Sequence, residues 1–172
     1  IGIALFLIAI VLVTQFNSFY QTALILSAIV FSSLGVLIGM MATAQPFGIV
    51  MGGIGLIALA GIVVNNNIVL IDTYNEIRGK GVDAVEAALR TGAQRLRPVM
   101  LTTVTTMLGL VPMMLSINVD IPNRVIAVGA PSTQWWTQLS TAIVYGLGFA
   151  TLLTLILTPS MLVLGDRVGR WV

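Results

Sequence analysis

Apolar residues run almost unbroken through this chain, and polar positions gather in a few short stretches. A membrane helix needs about 20 consecutive apolar residues. Five runs predict five spans, at about 1–16, 23–44, 47–71, 99–117 and 139–164. The first, Ile1 to Val13 before any extension toward Phe16, is too short by itself. It starts at residue 1 with no Met and no basic flank, unlike a signal peptide. The expectation is a piece cut inside a span. Between the third and fourth runs, Gly79 and Gly81 break the helix. Val82, Val85 and Leu89 then recur at helical spacing, and Glu86 precedes Arg90 by four. This predicts a short amphipathic helix over about 82–97, lying on the membrane surface. Pro98 sits where the fourth span begins, a position that needs no backbone donor. The connection 118–138 holds Pro122, Gly129 and Pro131 and is expected to be irregular. The predicted fold is all-α: one membrane domain over 1–172, a polytopic helix bundle of five transmembrane helices plus a short cytoplasmic amphipathic helix.

Composition narrows the functions. Only 8% of the 172 residues are charged and 58% are hydrophobic. A soluble domain averages about 25% charged. The first charge, Asp72, follows 71 neutral residues. The lipid bilayer is therefore the expected surrounding. Net charge is +2 with acids and bases mixed, which gives no footprint for nucleic acid. There is no Cys and no His, so no thiolate chemistry and no His-based metal or acid–base centre is expected. No cofactor is implied. An intramembrane enzyme is disfavoured, because no nucleophile–base pair is visible.

Charge also orients the spans. Connections 14–22, 72–98 and 165–172 hold seven of the eight Lys and Arg residues: Arg78, Lys80, Arg90, Arg95, Arg97, Arg167 and Arg170. The alternate connections hold only Arg124. The positive-inside rule places 72–98 and the C-terminus in the cytoplasm. Trp135 and Trp136 then open the fifth span at the outer interface.

Polar residues inside the spans carry the candidate chemistry. Asn65, Asn66 and Asn67 lie in the third span, and at 100° per residue they cover about 200° of the helix. They read either as interhelical glue or as a hydrated relay or binding face. Gly35 with Gly39 and Gly48 with Gly52 form two GxxxG pairs, read as close helix packing or as sliding surfaces. Thr102, Thr105, Thr106 and Gly109 share one face of the fourth span. Threonines there often serve their own backbone. Arg95 and Arg97 read as inner-surface anchors. Thr141, Tyr145, Thr151, Thr154 and Thr158 make a weaker polar stripe in the fifth span, and Pro159 is expected to bend or end it. No carboxylate lies in mid-span; Asp72 and Glu76 sit at the cytoplasmic rim.

The run Gly61-Ile62-Val63-Val64-Asn65-Asn66-Asn67-Ile68-Val69-Leu70-Ile71-Asp72, followed by the string Arg95-Leu96-Arg97-Pro98-Val99-Met100-Leu101-Thr102, resembles the C-terminal membrane region of a resistance–nodulation–division (RND) efflux permease. Gln15-Phe16-Asn17-Ser18-Phe19 is similar to the family's short inner loop. The resemblance covers the whole chain and corresponds to the last five of twelve helices. It implies a proton-driven pump for hydrophobic or amphiphilic compounds in the bacterial inner membrane. The implied partners are the N-terminal half of the same permease, two more copies in a homotrimer, a periplasmic adaptor and an outer-membrane channel. By the same resemblance Arg95 and Thr102 match the relay-associated Arg and Thr, with Asn65 and Asn66 on the facing helix. Many members carry Lys where Asn65 stands. Asn can hydrogen-bond a carboxylate but cannot neutralise it. The alternative function is a non-transporting membrane accessory of related architecture, serving translocation or lipid sensing.

Overall fold

The computed structural model describes residues 1–46 and 48–169. Phe47, the first residue of the expected third span, and Arg170, one of the counted cations, lie outside the described residues. The described residues form five helices and one hairpin, in chain order α1 (Gly2–Phe16), α2 (Phe19–Ala42), α3 (Ile49–Gly79), α4 (Ala84–Met114), β1 (Ile117–Asp120), β2 (Val125–Val128) and α5 (Pro131–Gly169). Four of the helices are long and apolar enough to cross a membrane, and α1 is a shorter apolar helix.

Helix α5 is the hub, packing against α2, α3 and α4, while α1 leans on α2. Two apolar clusters fill the bundle. One joins Val36, Leu59, Val63, Ala142 and Leu147. The other joins Leu12, Ile25, Ile71, Ile77, Ala87 and Leu162 toward the charged end. In lipid, helices gain little from hydrophobic burial, so close contact must come from small residues. Gly35 and Gly39 supply it on α2: a Cβ at either would run into Phe149 or Tyr145 of α5. Gly146 of α5 does the same against Val36 and Leu59. The α2 glycine pair is thus a seat for two aromatic side chains one turn apart on α5.

The connections explain several differences from the expected limits. Asn17 takes the left-handed conformation (φ 49°) and its N–H bonds to Val13 O, so α1 turns into α2 through Asn17 and Ser18 alone. Asn tolerates that conformation better than most residues. Helix α3 runs on to Gly79, which puts Asp72 and Glu76 on the same helix as the asparagines, and Gly81 (φ 80°) makes the turn after it. The expected separate surface helix over 82–97 is absent. Helix α4 is continuous from Ala84 to Met114 through Pro98 and Pro112. Its buried face, including Ala87, Ala88 and Thr91, packs toward the α3 and α5 ends instead of lying on lipid. Pro98 and Pro112 each lack the backbone N–H that an interior helical position would donate. Helix α5 likewise starts earlier than expected and passes through Pro159.

The region expected to be irregular contains an antiparallel hairpin, with Ile117 opposite Val128 and Asp120 opposite Val125. Pro122 falls in its turn, where no ladder donor is needed. The Asp120 carboxylate accepts from Asn123 Nδ2 at 2.7 Å and secures that turn.

Candidate functional site

The three asparagines of α3 separate by helical geometry. Asn67 is fully buried. Its Nδ2 donates to Val63 O at 2.9 Å and reaches Thr154 Oγ1 at 3.5 Å, and its Oδ1 accepts from Thr158 at 3.0 Å. Thr151, at the same seam of α5, pairs with Thr103 of α4 at 2.9 Å. Every member of this seam is buried. The polar stripe of α5 therefore joins α5 to α3 and α4.

Asn65, two positions earlier and about 200° away, faces outward and is exposed. Asn66 is half-buried. Neither amide has a hydrogen-bond partner among the described residues. Asp72 lies seven residues beyond Asn65, on the same exposed face of α3. Thr102 is also exposed, and its hydroxyl donates to Pro98 O at 2.9 Å. Thr105 and Thr106 bond their own helix in the same way.

Arg95 is half-buried, and its Nε donates to Thr73 Oγ1 on α3 at 2.7 Å. This contact fixes the register of two antiparallel helices. Asn65 stands eight residues before Thr73, and Thr102 seven after Arg95. At 1.5 Å per residue the two stand at nearly the same depth, with Arg95 about 10 Å nearer the charged end. Asn65 and Thr102 lie on adjacent helices but share no hydrogen bond.

The charged end is tied separately. Arg78 of α3 makes a bidentate pair with Asp166 of α5, both bonds at 3.0 Å, and also donates to Val82 O. Gln21 and Asn75 exchange two amide hydrogen bonds between α2 and α3. Tyr20 OH donates to Met161 O, and its ring covers Gly165. Gly48 caps the start of α3 beside Gln138 of α5, and Gly52 is buried one turn later. Among the described residues, no group of three His, Cys, Asp or Glu could hold a metal.

Sequence reasoning named all three asparagines but assigned the relay to Asn65 and Asn66; it did not separate out Asn67 as the interhelical glue, and it passed over Thr73 and the Arg78–Asp166 pair. A signal for Asn67 was present: Thr151, Thr154 and Thr158 recur at i, i+3, i+7 and need partners on one side. Nothing in the sequence pointed to Thr73.

Long apolar helices, joined by a buried polar seam and carrying a second polar face that bonds no other helix among the described residues, define a multi-pass membrane bundle. The profile of the AcrB/AcrD/AcrF family matches residues 1–166, and the chain belongs to this family of RND efflux permeases. It is 32% identical over 156 residues to the swarming motility protein SwrC of Bacillus subtilis (strain 168), covering 91% of this chain and 14% of that one. It is 30% identical over 168 residues to the cobalt-zinc-cadmium resistance protein CzcA of Cupriavidus metallidurans, covering 97% and 14%. A crystal structure of a heavy metal efflux pump superposes with a TM-score of 0.77 at 30% identity, over 95% of this chain and 14% of that chain. The chain thus spans about one-seventh of the length of these relatives.

Proposed function

We propose that this chain is the C-terminal membrane part of a proton-driven efflux permease, in which Asn65, Arg95 and Thr102 serve proton-carrying carboxylates of the rest of the protein. The observation that carries the reading is the unpartnered face: Asn65 is exposed and unbonded among the described residues at the depth of exposed Thr102, with Arg95 two turns before Thr102 on α4. Polar groups in a membrane face a protein partner or a water-filled cavity, because lipid offers them no hydrogen bonds. No mid-span carboxylate exists here, so the titrating groups belong to the remainder of the permease. The reading assigns the chain no covalent chemistry and no cofactor. It includes the assembly implied by the resemblance: a homotrimer in the bacterial inner membrane with an adaptor and outer-membrane channel. The names of two similar proteins support a divalent metal cation as cargo ahead of hydrophobic compounds.

The test uses the full-length permease in proteoliposomes under an imposed pH gradient, with Zn²⁺ and ethidium as probes. Wild type should move one of them, and Asn65→Leu or Thr102→Val should lose coupled transport while assembling normally. Asn65→Lys should transport better than Asn65→Leu, since Lys suits a carboxylate partner. Wild-type transport by both Asn65→Leu and Thr102→Val across the pH range would reduce these residues to packing polars. The orientation, with 72–98 and the C-terminus cytoplasmic, is checked by single cysteines at Lys80 and Arg124. An impermeant maleimide should label them from opposite sides.

A second reading, a membrane accessory that does not transport, draws support from the similarity to a protein named for swarming motility. Failure of the full-length protein to move either probe would favour it.

A further inference from the structure

We propose that Thr73 is a positioning residue that sets the direction of the Arg95 guanidinium. The inference rests on the relay reading of Arg95 given above. Thr73 is 5% exposed, on the face of α3 that also buries Tyr74 and Ile77. Its hydroxyl proton goes to Val69 O at 2.9 Å. A hydroxyl has one proton to give, so towards Arg95 the oxygen acts only as an acceptor. Arg95 Nε–H fills that lone pair at 2.7 Å.

The choice of Nε matters. A guanidinium can grip a carboxylate side-on, through Nε and one Nη, or end-on, through both Nη atoms. With Nε held by Thr73, only the end-on fork remains, and its plane can no longer turn about the side-chain axis. The fork has no partner among the described residues. The other arginines differ. Arg78 is occupied by Asp166 and Arg90 by Glu86. The acids of the surrounding elements leave Arg95 alone: Glu76 pairs with Lys80, Asp166 with Arg78, and Asp72 is exposed without an ion pair. A free arginine near the charged end of the bundle would extend its head toward water. Tethered to a buried neutral hydroxyl, Arg95 instead keeps its charge beside α3 and presents two parallel donors. The ligand this suits is a single carboxylate carried by another segment of the permease.

The experiment compares Thr73→Val, Thr73→Ala, Thr73→Ser, Arg95→Gln and the double variant Thr73→Val/Arg95→Gln in the full-length permease, with the same Zn²⁺ and ethidium transport. Thr73→Val keeps the shape and removes the acceptor. It should lower coupled turnover about tenfold, the size of one lost hydrogen bond to a charged group, with the probe's KM unchanged. Thr73→Ala gives the same result by a second route if the valine variant assembles poorly. Thr73→Ser should restore turnover to near the wild-type rate. The double variant should be no slower than Arg95→Gln, because the two side chains act as one unit. Turnover of Thr73→Val and Thr73→Ala at the wild-type rate, with Arg95→Gln inactive, overturns the role of Thr73 and leaves the relay standing. Turnover of Arg95→Gln at the wild-type rate overturns the relay reading itself, and the positioning role with it.

Discussion

Asn67 and Asn65 sit two residues apart on one helix and live in opposite surroundings. Asn67 is fully buried, with both ends of its amide engaged by Val63, Thr154 and Thr158. Asn65 is exposed and has no hydrogen-bond partner among the described residues. The difference is one of satisfaction rather than of residue type. A satisfied amide inside a membrane bundle is structural and contributes about 0.6 kcal/mol per hydrogen bond. An unsatisfied one marks a surface completed by something else. The same contrast separates Thr103, paired across helices with Thr151, from Thr102, which serves only its own backbone.

The contrast breaks most sharply if a charge is placed at each position. Asn67→Lys buries an unpaired cation where the seam has no anion, and the full-length permease should lose about 3 kcal/mol or more of stability. Asn65→Lys should lose far less, measured by thermal unfolding in detergent. Equal losses would mean that both faces are packed alike.

The glycine seat offers a second, smaller contrast. Gly39→Leu collides with Tyr145 and should destabilise by about 1–3 kcal/mol. A Cβ at Gly61 would meet nothing within 4 Å among the described residues, so Gly61→Ala should be neutral or stabilise by about 0.5–1 kcal/mol through helix propensity. A penalty at Gly61 would locate another helix against that face.

The smallest expected effect is at the charged end. Arg78 and Asp166 side chains are each 28% exposed. A double-mutant cycle should return a coupling of about 0.5–1 kcal/mol, weakened by added salt. A larger value would show that this end is shielded from water in the assembled protein.

Much of the fold was legible because membrane helices announce themselves by length and hydropathy. Four of the five expected spans overlap long helices, with 99–117 running past the end of α4 into β1, and the short first run forms the short helix α1. The limits were less legible. Gly79 ends α3 as expected, although the helix runs past Asp72 to reach it, whereas Pro98, expected at the start of a span, sits inside α4. Proline removes one donor, and the sequence does not reveal that the alanine face of 84–91 has a helix to pack against. The hairpin went unread because Pro122 and Gly129 mark turns without saying what they join. At the site, the polar residues of the spans could be enumerated, but not sorted. Asn65, Asn66 and Asn67 are chemically identical, and only their neighbours distinguish them.

Hydropathy, the scarcity of charge and the text from Gly61 to Thr102 determined by themselves that this chain is a membrane helix bundle of the RND type. Those properties are local and need no knowledge of what touches what. The tertiary structure alone decided that Asn67 binds the threonines of α5, that Tyr145 and Phe149 occupy the glycine seat of α2, and that Thr73 holds Arg95. Each of these is a contact between helices distant in sequence, fixed by the rotation and depth at which they pack. A one-residue change in helix rotation turns a side chain by 100°, enough to exchange a bonded amide for an open one.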